Sequence, residues 1–259
     1  MNNTFSIQRF GLLLKRQWLE FGKIYLISLA VVLGVILTFY GFSLWSVLRE
    51  ETSFNERNLN FRVPLFLIFG FIFVSVIAST YFAHLGQKPK AIIDLMLPAS
   101  TFEKFVGGVF FTAILSVLSY ILLFYLVDLA FVAKIRALYK NDDQSMRYFF
   151  EQYNEDVFQP LYLAPVFVTS IFLLGSIYFE KFHYIKTAIC VMIFSGIWTA
   201  IIAKSAKLLF EGRIQVVNEN SRHFFNEKDS AELWMTVLLV VLTLIFWAIT
   251  YVRLKEKEV

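Results

Sequence analysis

An all-α polytopic membrane protein, with six transmembrane helices preceded by an amphipathic interfacial helix, is the fold class that this sequence predicts. Three observations predict it. Of 259 residues, 58% are hydrophobic and only 17% charged, where soluble domains average about 45–50% and about 25%. The charges are also segregated: Ile24–Leu48, Val63–Gln87, Phe105–Val127, Val157–Phe179, Thr187–Ala203 and Leu233–Val252 contain no Asp, Glu, Lys or Arg. Finally, these windows are 17 to 25 residues long, and about 20 residues of helix cross the roughly 30 Å hydrocarbon layer, where a central charge costs about 2.5–3.5 kcal/mol.

A transmembrane barrel also satisfies its backbone in lipid. Its strands alternate apolar and polar residues, which stretches such as Val237–Phe246 do not. The windows divide the chain into a basic amphipathic segment 1–23, a transmembrane domain 24–252 and a basic tail 253–259. The spans are expected near 24–48, 63–85, 105–133, 161–180, 184–204 and 233–252. The fifth window is the shortest, and Lys186 ahead of it can reach back to the interface. The first window is far longer than the about 7–15 residues of a signal-peptide core and lacks a small-x-small cleavage site, so it is expected to be retained. The single cysteine, Cys190, excludes an intramolecular disulfide and a cysteine-rich metal site.

Six spans place both termini on one side. Basic residues divide equally, twelve in the segments on that side and twelve on the other. Local density favours cytoplasmic termini, because Lys15, Arg16 and Lys23 precede the first span and Arg253, Lys255 and Lys257 follow the last.

Before the first span, Ile7, Phe10, Leu14, Trp18 and Phe21 share one helical arc, with Arg9, Lys15, Arg16 and Lys23 opposite. Such a helix lies in the interface, its cations toward anionic head groups and Trp18 at the matching depth. The plainer reading is a basic flank that only orients the first span.

The segment 86–104 is the most informative on the chain. Lys88-Pro89-Lys90 breaks the second helix, Ala91–Leu97 is a short apolar run with one acid at Asp94, and Pro98 stops it. Ser100-Thr101-Phe102-Glu103 then forms a capping box that starts the third helix. An interfacial turn accounts for the capping box but not for so apolar a run between charged ends.

The other connections read as solvated. His183 lies in the short loop 180–186, and Asp142-Asp143 and Glu155-Asp156 lack the ligand spacing of a calcium loop. Asp229-Ser230-Ala231-Glu232 reads as a cap for the last helix. Asp128 is the one acid in or beside a span, with Lys134 and Arg136 a few residues on. Intramembrane chemistry needs polar groups at depth, and the remaining candidates are hydroxyls such as Ser75, Ser79, Thr80, Ser116, Ser119, Thr169, Ser170 and Ser176.

Catalytic templates are absent. There is no His-Glu-x-x-His, no Gly-x-Ser-x-Gly and no Gly-x-x-x-x-Gly-Lys-Ser/Thr phosphate loop. Glu50-Glu51 is followed by Asn55, where a Glu-Glu-x-x-x-Arg protease motif needs Arg. The chain is therefore expected not to be an enzyme and to carry no cofactor, and any nucleotide energy has to come from another subunit.

The amphipathic segment, the six windows and Leu97-Pro98-Ala99-Ser100-Thr101-Phe102-Glu103-Lys104 at the third span together resemble the ABC-2 type transporter permeases. The resemblance implies the transmembrane subunit of an ABC exporter in the plasma (inner) membrane, paired with a second permease as a homodimer or heterodimer. A separate ATPase subunit would bind ATP and Mg. Segment 86–104 resembles the family's coupling helix, which implies an ATPase contact through Ile92, Ile93, Asp94, Leu95, Met96, Leu97, Pro98, Ser100, Glu103 and Lys104. Arg9, Lys15, Arg16, Trp18 and Lys23 fall on the part that resembles its membrane-surface connecting helix. The segment 204–232 takes the place of the family's outer re-entrant pair, but its charges depart from that pattern. A basic rim of Lys88, Lys90 and Lys104 is expected to face acids of the partner or anionic lipid, and nucleic acid is not expected. The alternative is a non-transporting membrane accessory or scaffold protein.

Overall fold

The computed structural model describes residues 5–49, 59–86, 92, 94, 96–97, 99–138, 147–152, 162–210 and 225–257. Among these residues every regular element is a helix. In chain order they are α1 (Ile7–Ser43), α2 (Trp45–Leu48), α3 (Arg62–Tyr81), α4 (Thr101–Leu138), α5 (Phe149–Gln152), α6 (Ala164–Tyr178), α7 (His183–Phe210) and α8 (Phe225–Lys257). A 3-10 turn, Ala83–Gly86, ends the second window.

Among the described residues five helices are long and apolar enough to cross a membrane: α1, α3, α4, α7 and α8. They mark the chain as a membrane-embedded protein. The fourth window forms α6, which has 15 residues and so rises about 22 Å, less than the roughly 30 Å hydrocarbon layer. Pro165 in its first turn lacks an amide hydrogen that would have no intrahelical acceptor anyway.

The helices run past the charge-free windows because their charged flanks are helical too. Residues 7–23 are helix, as expected, but they continue unbroken into the first span, forming a single α1. The apolar residues of that segment do not share one environment. Leu13 and Phe21 are buried, whereas Ile7 is 77% exposed. At the other end of the chain, α8 starts at Phe225, so Asp229–Glu232 is helix interior and not a cap. Glu227, Lys228 and Ala231 favour helix, and propagation past a capping signature follows.

α1, α3 and α4 pack together around an aromatic core. Phe66 meets Phe124 at 4.9 Å, Tyr40 meets Phe131 at 5.2 Å and Tyr25 meets Phe73 at 6.1 Å between ring centroids. Such edge and offset pairs add about 0.5–1.5 kcal/mol each to the area they bury. Within α4, Phe110–Leu115 is a π-helical turn, a form that frees a carbonyl from the regular ladder. The Tyr25 hydroxyl donates to Leu115 O at 3.2 Å and also meets the Ser119 hydroxyl, so α1 is joined to α4 at this irregular turn.

α6 packs against α3, α7, α8 and the π-helical turn. Its close approach to α7 depends on Gly175, where a Cβ would overlap the Thr187 side chain. Thr187 cannot swing away without losing its hydrogen bond to His183 O at 2.8 Å. Gly175→Ala is therefore expected to cost about 1–3 kcal/mol through overpacking. Thermal unfolding in detergent should show a lowered midpoint that Thr187→Ala in the same chain largely restores. An unchanged midpoint in the single variant contradicts this packing.

Candidate functional site: the two ends of the bundle

The start of α1 and the end of α8 lie at one end of the bundle. The Ser6 amide bonds Glu103, and Phe102 and Phe105 at the start of α4 pack on Tyr251 near the end of α8, at 6.3 and 5.7 Å. This terminal end contains the segment singled out in the sequence.

The expected capping box is present. The Glu103 amide donates to Ser100 Oγ at 3.2 Å, and the Ser100 amide donates to Glu103 Oε2 at 2.9 Å. The other carboxylate oxygen, Oε1, accepts from the Ser6 amide at 2.9 Å and from Arg9 Nη2 at 3.2 Å. One fully buried carboxylate thus starts α4 and fastens the beginning of α1 to it.

Lys104 does not face outward as the expected basic rim requires. It is buried, its Nζ lies 3.3 Å from Asp94 Oδ2, and it donates to Asp94 O at 2.8 Å. A lysine at this depth has to be paired, and the acid within the apolar run supplies the charge. His84 Nε2 approaches the same carboxylate at 3.9 Å. Its Nδ1 lies 2.9 Å from Tyr81 O, which can only accept, so Nδ1 carries the proton.

Asp94 is therefore anchored on both sides, and a single helical turn is built around it. The Met96 amide donates to Ile92 O at 3.1 Å and the Leu97 amide to Asp94 O at 3.2 Å. That turn presents apolar side chains to the outside: Met96 is 79% exposed and Ile92 more than half exposed. Ile93, Leu95, Pro98, Lys88 and Lys90 lie outside the described residues. Of the residues expected on the membrane-surface helix, Lys15 and Lys23 are exposed, and Arg16 pairs with Glu20 at 3.1 Å. Trp18 stacks on Phe111 of α4 at 6.3 Å.

The opposite end contains a polar network that the sequence reading did not assemble. The partner of Asp128 is Arg62, whose Nη1 is 3.0 Å from Asp128 Oδ1. Arg62 has 0% of its surface exposed. Its remaining donors reach Leu59 O at 3.2 Å, Arg147 O at 3.3 Å and Gln152 Oε1 at 2.7 Å. Asp128 in turn accepts from the Tyr40 hydroxyl and from the Phe149 amide, each at 2.8 Å. α1, α3, α4 and α5 meet in this one cluster. Arg62 escaped notice because it stands one residue before a charge-free window and reads as a loop cation.

The hydroxyls along the spans are turned into their own helices. Ser75, Thr80, Thr112, Ser119, Thr169, Ser170 and Ser176 each donate to a carbonyl three or four residues earlier. Ser79 Oγ is buried without a hydrogen-bond partner. The loop acids at 142–143 and 155–156 and Glu50-Glu51 lie outside the described residues.

Removing one member of a buried pair strands the other charge, at about 3–5 kcal/mol, while replacing both by apolar residues is far milder. Asp128→Ala is thus expected to lower the unfolding midpoint sharply, and Arg62→Met with Asp128→Leu to lower it less. Equal loss in the single and double variants, measured by thermal unfolding of the purified chain, contradicts a stranded charge.

No family model matches this chain, and neither does any curated protein or solved structure.

Proposed function

We propose that the chain is the membrane-spanning permease subunit of an ABC-type exporter, energised by a separate ATPase subunit through the segment 86–104. The observation that carries this reading is the braced apolar turn at the terminal end. Its carboxylate, Asp94, is tied to the third membrane helix by Lys104, and its apolar side chains Ile92 and Met96 are left exposed. A surface built this way suits a soluble partner whose motion has to reach the spans, because a push on the turn is transmitted through an ion pair to α4. Glu103 adds the beginning of α1 to the same block. ATP binding in the partner would then favour one packing of the spans over another by differential contact with this turn.

The reading takes α6 as a sixth crossing, which keeps both termini on one side. Two observations support it: α6 packs along α3 and α8, and its last residue, Tyr178, meets Arg253 near the end of α8. The first turns of α1 would serve as the surface helix of such a permease. The membrane would be the plasma (inner) membrane, with cytoplasmic termini and a second permease copy or homologue alongside. ATP and Mg would be held by the partner, and no reaction would take place on this chain.

A non-transporting scaffold protein is the second reading. It is favoured by Ser75, Thr169, Ser170 and Ser176, span hydroxyls that bond carbonyls of their own helices.

The two readings separate on one purification. A tagged full-length chain extracted from its native membrane is expected to bring down an ATPase subunit bearing a phosphate loop. Ile92→Asp with Met96→Asp should reduce that recovery about ten-fold or more, since two apolar anchors are lost, without changing the elution volume of the chain. Absence of any such subunit, or its full retention by the variant, contradicts the permease reading.

A further inference from the structure

The other corner of the terminal end, where α6 turns into α7 and α8 ends, carries a strong local charge that the transport reading does not use. Among the described residues Glu180, Lys181, Lys186, Arg253, Lys255, Glu256 and Lys257 give it five cations against two carboxylates. The charges of Lys257 and Lys186 both reach His183, the first residue of α7, and Lys257 itself feels the Glu180 carboxylate and, less strongly, Arg253. Among the described residues no carboxylate lies within 4 Å of Lys186 or Lys257. Lys186 instead sits over the Phe179 ring at 5.6 Å. Arg253 is held on the Tyr178 ring at 5.2 Å and paired with Glu256.

The corner is rigidly built. Phe182 has a φ of 55°, the left-handed region that a bulky residue occupies only when its surroundings fix it. The turn is pressed against the end of the second window, where a Cβ on Gly86 would lie 2.8 Å from Glu180 O. The turn between α6 and α7 is therefore fixed by its backbone. Lys186 and Arg253 are also each fixed over an aromatic face.

Apolar surface leads away from these cations. α7 and α8 both pack on α6, and from the corner they expose Ile185 and Ile189 on one helix and Ile249 and Val252 on the other. A cationic mouth at the membrane surface that opens onto apolar helix sides matches a phospholipid: an anionic headgroup with an acyl chain beneath it.

We propose that Lys186, Arg253 and Lys257 form a phosphate-binding site for an anionic phospholipid headgroup in the leaflet on the side of the chain termini. The site is independent of whether the chain transports anything. Each lysine near an anionic surface contributes about a five-fold preference, so Lys186→Gln with Lys257→Gln should lower retention about 30-fold.

The test uses the purified full-length chain reconstituted in vesicles of equimolar phosphatidylglycerol and phosphatidylcholine, re-extracted, with retained lipid counted by native mass spectrometry. The expected result is preferential retention of phosphatidylglycerol by the parent chain and by Lys134→Gln, an exposed control cation at the other end of the bundle. The double variant should lose that preference while keeping its phosphatidylcholine count and its elution volume. Undiminished phosphatidylglycerol in the double variant overturns the proposal. Equal loss in the Lys134→Gln control overturns it as well, since the effect is then general charge. A second arm titrates inorganic phosphate into lipid-free micelles of the same protein. Binding there with the same lysine dependence, and displacement of retained phosphatidylglycerol, assigns the corner to free phosphate and overturns the lipid assignment.

Discussion

A guanidinium with no exposed surface stands among the first three membrane helices, and it is tolerable there only because Asp128 and three further acceptors, Leu59 O, Arg147 O and Gln152 Oε1, surround it. Arg62 meets Asp128 at 3.0 Å, and the same carboxylate takes the Tyr40 hydroxyl and the Phe149 amide. An unpaired charge at this depth would neutralise or pull the helices apart. The pair therefore fixes which faces of α1, α3 and α4 meet, and the aromatic core between them follows from that choice. Phe66, Phe124 and Phe149 pack directly below the cluster, with Phe66 and Phe124 each about 5 Å from Phe149. α5, a helix of four residues that could not stand alone, is held in place by the same two charged groups.

The terminal end uses the same physics for a different result. Glu103 and Lys104 are adjacent in sequence and both buried, yet they hold different partners. Glu103 gathers Ser100, Ser6 and Arg9, and Lys104 gathers Asp94. Two charges at the first turn of one helix thereby fix both what precedes that helix in the chain and what packs beside it. The exposed Ile92 and Met96 are a consequence: the polar groups of the turn are used inward, so its apolar ones are left outward.

The charge-free windows made the membrane helices legible, and the capping box was legible to the residue. What could not be read was partnership. Arg62 and Asp128 are separated by 66 residues and by a whole helix hairpin, and neither has a local pattern that points to the other. Lys104 looked like a rim cation because a lysine beside a span usually is one; its burial depends on where the preceding run folds. Which residues of 7–21 pack on the bundle was not legible for a related reason. In lipid, apolar side chains are equally at home facing outward, so hydrophobicity identifies a membrane helix without telling which side packs. Leu13 is buried and Ile7 exposed with no difference in polarity to predict it. The same indifference applies to α7, whose described side chains are all exposed beyond Val191.

The central claim is that the two polar clusters lie on opposite sides of a bilayer, one bracing helices and the other presenting a surface. Cysteine accessibility tests it most directly, since Cys190→Ser removes the single native thiol. Met96→Cys, Phe182→Cys and Glu151→Cys are then introduced one at a time and exposed to a membrane-impermeant maleimide in sealed vesicles of each orientation. The account predicts that positions 96 and 182 react from one face and position 151 from the other. Labelling of all three from the same face contradicts it.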